Sequence, residues 1–324
     1  MIAAGSTSAP KAAGSPDEAG TRIGIIGAGP VGSVLAARLI SAGRHVTVCE
    51  VNAPVRARLI ESGITVSGTP AVRVPRVIER ISDFREQPPA ILFLAVKAPA
   101  LPLICDALAD VLPPETTVVS WQNGIDTERV IAATLGAHRT VRAVINQGVS
   151  FGPDGSVVVA FEQPPHSVQE VAPDGRSAAE SVAALLSECG VATQRAENLV
   201  SMVWRKAILN AGLNALCALT GMNMREAWSD AFARDLAIET MREGVRVARA
   251  NEIMLGWDYY QGALDYLARA GEHKPSMLLD REAGRRTEID FINGKIVEYG
   301  EIAGVPTPHN KSLLALVKAM ERKL

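Results

Sequence analysis

The chain has 324 residues, 48% hydrophobic and 21% charged, with 33 Lys+Arg against 35 Asp+Glu and a formal net charge of −2. That length suits two domains with cores of their own, and a balanced charge with no long basic run gives no footing to a nucleic-acid or membrane-surface partner, which leaves a small molecule. Cys49, Cys105, Cys189 and Cys217 form no CxxC pair and read as buried thiols in a reducing cytoplasm, while the five histidines show neither metal-ligand spacing nor a triad context.

Residues 1–20, rich in Ala, Gly, Ser and Pro, lack a signal-peptide core and read as a disordered tail. From Thr21 short apolar runs alternate with helical stretches. "RIGIIGAGPVG" is a buried strand entering a glycine turn, "SVLAARLISAG" a helix closed by Gly43, and "HVTVCE" the next strand. "AILFLAVK" and "TVVSWQNG" are further strands, with the helix "LPLICDALADVL" between them; this alternation predicts a parallel sheet. "VRAVINQGVSFGPDGSVVVAF" reads as two strands joined at Pro153, Asp154 and Gly155, an antiparallel extension of that sheet. One more helix and the short strand "VATQR" follow. Beyond Ala196 only helix-like segments continue, and no run of eighteen apolar residues suggests a membrane span. The fold expected is α/β: a Rossmann-type doubly wound sheet over 21–195, then an all-helical domain over 196–324 that would carry the substrate and the catalytic groups.

Gly27, Gly29 and Gly32 form GxGxxG directly after an apolar strand and at the start of a helix, the context in which the motif cradles a dinucleotide pyrophosphate. The turn Gly27, Ala28, Gly29, Pro30, Val31, Gly32 is therefore the expected cofactor loop. Glu50 ends the second strand, where a carboxylate can accept from the adenosine ribose hydroxyls and repel a 2′-phosphate, which favours NAD. Arg56 and Arg58, a turn or two later, keep NADP open.

"WRKAILNAGLNALCALTG", Trp204 to Gly221, is apolar on most of its circumference yet carries Lys206, Asn210 and Asn214 four residues apart, a spacing that lines them up as one polar stripe on a helix. Taken alone, the stripe reads as a snorkelling lysine with two asparagines bonded to backbone or water.

With "VKAPAL", "QNG", "VWRKAILNAGLN", "KPSMLLD" and "RRTEIDFINGKI" in this order behind the glycine turn, the chain resembles the 2-dehydropantoate 2-reductase (ketopantoate reductase) family from Ile23 to Met320. The resemblance implies a Rossmann domain joined to a helical domain, with nicotinamide and substrate in the cleft between them. It implies NAD(P)H-dependent reduction of a small branched 2-keto acid, 2-dehydropantoate first, in pantothenate biosynthesis. Matched by motif, the catalytic lysine is Lys206 and the TEID glutamate is Glu288. The substrate-facing residues are Asn210, Asn214, Ser276 and Asn123, and Lys97 is a lysine on the cofactor side, which Asn123 also touches. A homodimer is compatible with this reading. Two positions depart from the family pattern: Val51 stands where many members have an arginine for the 2′-phosphate, and Ala215 where many have a proline. A general D-2-hydroxy-acid dehydrogenase and a nucleotide sensor without catalysis are the alternatives. On the chemical side, an ammonium partly desolvated on an apolar helix has a lowered pKa and suits protonation of the developing alkoxide.

Overall fold

The computed structural model describes residues 21–323; the tail expected at 1–20 lies outside them. Eight strands form the main sheet: β1 (Ile23–Ile26), β2 (Val46–Cys49), β3 (Arg76–Ile78), β4 (Ile91–Leu94), β5 (Thr117–Ser120) and β6 (Thr140–Val144), then, beyond the hairpin β7 (Gln147–Phe151) and β8 (Val157–Glu162), β9 (His166–Glu170) and β10 (Thr193–Arg195). Their order is β10-β9-β6-β5-β4-β1-β2-β3. From β3 to β6 all pairs are parallel, in the order of a dinucleotide-binding sheet. Every residue of β1 and β4 is buried, as expected of parallel strands covered on both faces. The crossovers are α1 (Pro30–Ser41), α2 (Ala53–Glu61), α3 (Leu101–Ala109) and α4 (Thr127–Leu135), and α5 (Arg176–Glu188) links β9 to β10.

The order reverses between β1 and β4, and the crevice beyond the carboxyl ends of these strands is where such sheets bind ligands. Gly27 follows β1, Lys97 closely follows β4, and Asn123 closely follows β5, so three separate stretches of sequence meet at one edge.

The segment from Val141 to Phe161 differs from expectation. It holds three strands rather than two. β6 lies in the main sheet, whereas β7 and β8 pair with each other in a two-stranded sheet, to which Val66 adds a single bridge at Val157. The place beside β6 is taken by β9, which runs antiparallel to it. Every residue of β6 is buried and none of β7 is, so the chain leaves the sheet at Ile145 and Asn146, and the hairpin packs on α1, to which the Arg38–Glu162 ion pair at 2.6 Å fastens it.

Beyond β10 come α6 (Leu199–Thr220), α7 (Met224–Ser229), α8 (Ala231–Ala250), α9 (Tyr259–Ala268), α10 (Ser276–Glu282), α11 (Asn293–Ala303) and α12 (Pro308–Glu321). α6 is the axis of this part, packed by α8, α10 and α12, and its ends are set by Asn198, whose side chain accepts the Ser201 N–H, and by Gly221 in the left-handed region. The wholly buried Glu243 of α8 accepts from the backbone and side chain of both His309 and Asn310, which ties α8 to the start of α12 with its charge fully bonded. Among the described residues no helix is long and apolar enough to cross a membrane, and no His/Cys/Asp/Glu group is arranged to hold a metal ion.

Candidate active site

The glycine turn has the geometry its spacing predicts. Gly27 takes φ +99°, in the left-handed region that favours glycine. A Cβ on Gly32 would stand 2.1 Å from Gly27 O, so only glycine lets α1 start this close to β1. A Cβ on Gly29 would meet nothing within 4 Å, so the turn is open there to a ligand, at the amino end of α1. Glu50 lies against the turn: Ala28 N–H donates to its Oε2 at 2.8 Å and Asn52 N–H to its Oε1 at 2.8 Å. The carboxylate is thus fixed, with lone pairs left for ribose hydroxyls. The two arginines nearby are each engaged within the chain. Arg56 donates to the carbonyls of Glu50 and Val51 and pairs with Glu79 at 3.0 Å, and Arg58 lies 4.8 Å over the Phe151 ring.

Lys97, matched to a cofactor-side position, bridges the two parts of the molecule. Its Nζ lies 2.6 Å from Asp280 Oδ2 of α10 and 3.8 Å from Glu288 Oε2. Burial works against this ammonium, but Glu288 and Asp280 outweigh it and hold the Lys97 pKa above its ordinary value. Glu288 is buried and also accepts the Ala98 N–H at 3.3 Å, so its carboxylate is directed to the loop after β4.

The opposite wall is α6. Lys206, Asn210 and Asn214 line one cleft of about 340 Å³ with Asn123 from the loop after β5, Ser276 from the start of α10 and Val31 from α1. The predicted substrate residues are therefore brought together with one residue of the cofactor turn. Glu50, Lys97 and Glu288 stand outside this lining. Lys206 Nζ donates to Ile145 O, the carbonyl just past β6. Burial first, and then the nearby Arg142 guanidinium, lower the Lys206 pKa to about 8, with Glu288 acting in the opposite sense. The cleft continues past Lys206 and Asn210 into a chamber of about 500 Å³ walled by Met202, Leu209, Tyr259 and Tyr266, with Phe161 of β8 shared between the two spaces.

Three contributors were not evident in the sequence. The hairpin places Gln147 and Phe161 over the cleft, and Phe161 meets His273 edge-on at 5.9 Å. Asp280, within the quoted "KPSMLLD", is the buried partner of both Lys97 and Arg285. Arg142 lies inside the apolar run of β6, 5% exposed, with its donors directed at the loop that carries Asn123.

A Rossmann-ordered sheet with an open glycine turn, facing a helix that presents a lysine with lowered pKa among neutral amides, defines a nicotinamide-nucleotide oxidoreductase of two parts. The ketopantoate reductase PanE/ApbA family matches residues 23–171, and its C-terminal counterpart matches residues 198–321. A 2-dehydropantoate 2-reductase of Streptococcus pyogenes serotype M3 is 30% identical over 268 residues, 82% of this chain and 86% of the relative, and one from Pyrococcus horikoshii is 28% identical over 93% of this chain and 97% of the relative. Among solved structures, a ketopantoate reductase of Ralstonia eutropha JMP134 superposes with TM-score 0.83 at 25% identity, covering 93% of this chain and 99% of that one. D-mandelate dehydrogenase with NADH and anilino(oxo)acetate superposes with TM-score 0.84 at 25% identity, covering 93% and 98%. The chain belongs to the ketopantoate reductase family.

Proposed function

We propose that this protein reduces 2-dehydropantoate, a small branched 2-keto acid, to its 2-hydroxy acid with a nicotinamide dinucleotide, and that NAD is the preferred form. The observation that carries the reading is the convergence of Lys206, Asn210, Asn214, Asn123 and Ser276 on one cleft that also reaches Val31 of the cofactor turn. Gly27, Ala28, Gly29, Pro30 and Gly32 hold the pyrophosphate through backbone and close packing, and Glu50 takes the adenosine ribose. Its charge, with Val51 beside it and both nearby arginines occupied, disfavours a 2′-phosphate. Lys97, kept charged by Asp280 and Glu288, stands on the cofactor side.

When bound, the nicotinamide supplies the hydride. The chain supplies everything else. Lys206 faces the ketone oxygen as a cation that stabilises the charge developing there and then gives up its proton. With a pKa of about 8 it is both mostly protonated at neutrality and a better acid than an ordinary lysine. Its bond to Ile145 O restrains the ammonium before substrate arrives. Asn210, Asn214, Asn123 and Ser276 are neutral donors, able to hold the carboxylate and the distal hydroxyl without adding charge beside Lys206. Glu288 acts at one remove, favouring the protonated lysine through its field while it orders Lys97 and the loop after β4.

The chamber beyond Lys206 favours a second reading of the substrate. Its Met202, Leu209, Tyr259 and Tyr266, set among Asn146, Gln163, Arg205 and Asp258, leave room for a bulkier 2-keto acid, and a D-mandelate dehydrogenase is among the structures this chain is similar to. A comparison of keto acids separates the two. A site that bonds the substrate hydroxyl leaves its own polar groups unpaired when the hydroxyl is missing, so kcat/KM should fall at least about tenfold from 2-dehydropantoate to 2-keto-3-methylbutyrate. Equal or better turnover of the hydroxyl-free acid, or of benzoylformate, would replace 2-dehydropantoate by the general 2-hydroxy-acid dehydrogenase reading.

A further inference from the structure

Every position of β6 is buried, and a guanidinium in such a strand is costly unless its donors are met. Arg142 stands opposite Ser120 in the β5–β6 register and directs its donors to the end of β5 and the loop that follows. Nη1 donates to Ser120 Oγ at 3.0 Å and to Gln122 O at 2.8 Å, and Nη2 donates to Gly124 O at 2.8 Å. The two carbonyls flank Asn123. The planar fork of arginine suits such a double grip, and a lysine cannot reproduce it. Glu128 on α4, 3.3 Å from Nε, balances the charge from the far side. The same loop is held on its other flank by Ile125 N–H donating to Phe291 O at 2.8 Å, and by Gly124 at φ +109°, where a Cβ would stand 2.7 Å from Phe291 Cβ.

We propose that Arg142 is a positioning residue for the reduction: by gripping the carbonyls on both sides of Asn123 it fixes that amide in the cleft and thereby sets how tightly the keto acid is held. The proposal rests on Asn123 being a substrate contact. A second consequence follows from where the guanidinium sits. Lys206 bonds the carbonyl of Ile145, three residues on from Arg142 along the same chain, and the positive charge of Arg142 opposes protonation of Lys206. The other charged and titratable groups that line the spaces around Lys206 or act on it are Glu288 before α11, His166 on β9, Arg205 beside it on α6, Asp258, Tyr259 and Tyr266 at α9, and His273 and Lys274 before α10. Of these, Arg142 and Glu288 act most on its titration and in opposite directions.

The test is steady-state reduction of the keto acid by Arg142→Lys, Asn123→Ala and the double variant, with cofactor affinity and melting temperature measured alongside. Arg142→Lys keeps the charge but not the grip, so KM for the keto acid should rise about tenfold while kcat and the alkaline limb of the pH profile stay near wild type. Asn123→Ala should raise KM by a similar factor, and the double variant should be no worse than Asn123→Ala, because both changes remove one contact. Reduction needs protonated Lys206 and declines as pH rises through its pKa. Arg142→Met, which removes the opposing charge, should therefore move that limb upward by about half a unit or more, a shift that mere loosening of the fold would not produce. If Arg142→Met does not fold, the Arg142→Lys cycle decides the matter by itself. A KM for Arg142→Lys within about twofold of wild type, or additive losses in the double variant, would overturn the proposal. A wild-type KM for Asn123→Ala would instead remove Asn123 from the substrate site, and the proposal would fall with that assignment and not through Arg142.

Discussion

On the sheet side, the cleft is made of backbone: Gly27 to Gly32 offer amides, a helix end and the absence of Cβ atoms, with Glu50 as the one side chain that selects. On the helix side, α6 offers little backbone and three polar side chains set in an apolar cylinder, joined by Asn123 and Ser276 from elsewhere. On the function proposed above, the first wall would recognise what all dinucleotides share and the second what distinguishes one substrate. The difference teaches where a substitution will be felt. On the sheet side, any added atom matters whatever its chemistry, whereas on the helix side chemistry matters more than bulk.

The sharpest way to break this comparison is Lys206→Ala, which removes chemistry and adds no bulk. kcat should fall by a factor on the order of 10² to 10⁴, the span for a lost general acid, with cofactor Kd nearly unchanged by titration calorimetry. A variant that keeps more than about half of wild-type kcat would take Lys206 out of the mechanism. Gly32→Ala makes the opposite change, one methyl with no new chemistry. Placed 2.1 Å from Gly27 O, it forces α1 away from the turn. Overpacking of this kind costs about 1–3 kcal/mol, so the melting temperature should drop and cofactor affinity should fall by more than about tenfold. Unchanged cofactor binding would mean that the pyrophosphate does not use this turn. The smallest effect expected is at the one selective side chain of the sheet wall. The wild type should bind NADH more tightly than NADPH, and Glu50→Arg should shift the ratio of the two affinities toward NADPH by about tenfold. Equal affinities in the wild type would show that the fixed carboxylate does not face the 2′ position.

The same contrast explains what could be read from the residues beforehand. The glycine turn is contiguous and each glycine has a local steric reason, so its strand–turn–helix context is legible without any tertiary information. The stripe of α6 is legible for a related reason, since its period is that of one helix, although only the family resemblance turns it into a cleft wall. Ser276, Lys97 and Glu288 come from distant segments, and nothing in spacing links them. Arg142 is out of reach, because nothing in "VRAVI" tells what covers the face of the strand that Arg142 takes. It is buried because β9, a strand opening just after two prolines, makes β6 an interior strand, and α4 with Glu128 packs on the face that Arg142 takes. The three-residue β3 is too short to stand out from its loop. The hairpin reads as part of the main sheet because strand propensity carries no information on which edge a strand will choose.

The stripe on α6 has one more consequence, which concerns how such a site can change over many generations. From Lys206 to Asn214 the helix rises about 12 Å, and its hydrogen bonds fix the interval between neighbouring polar groups as on a ruler. A single residue inserted between Lys206 and Asn210 would rotate every later mark by about 100° and turn Asn210 and Asn214 out of the cleft, so this stretch tolerates replacement but not a change of length. Across the cleft, Gln147 and Phe161 belong to a hairpin outside the main sheet, where a new side chain leaves the ruler untouched. Drift in what descendants of this sequence reduce is therefore free to run through the hairpin while the interval from ammonium to amide stays as it is.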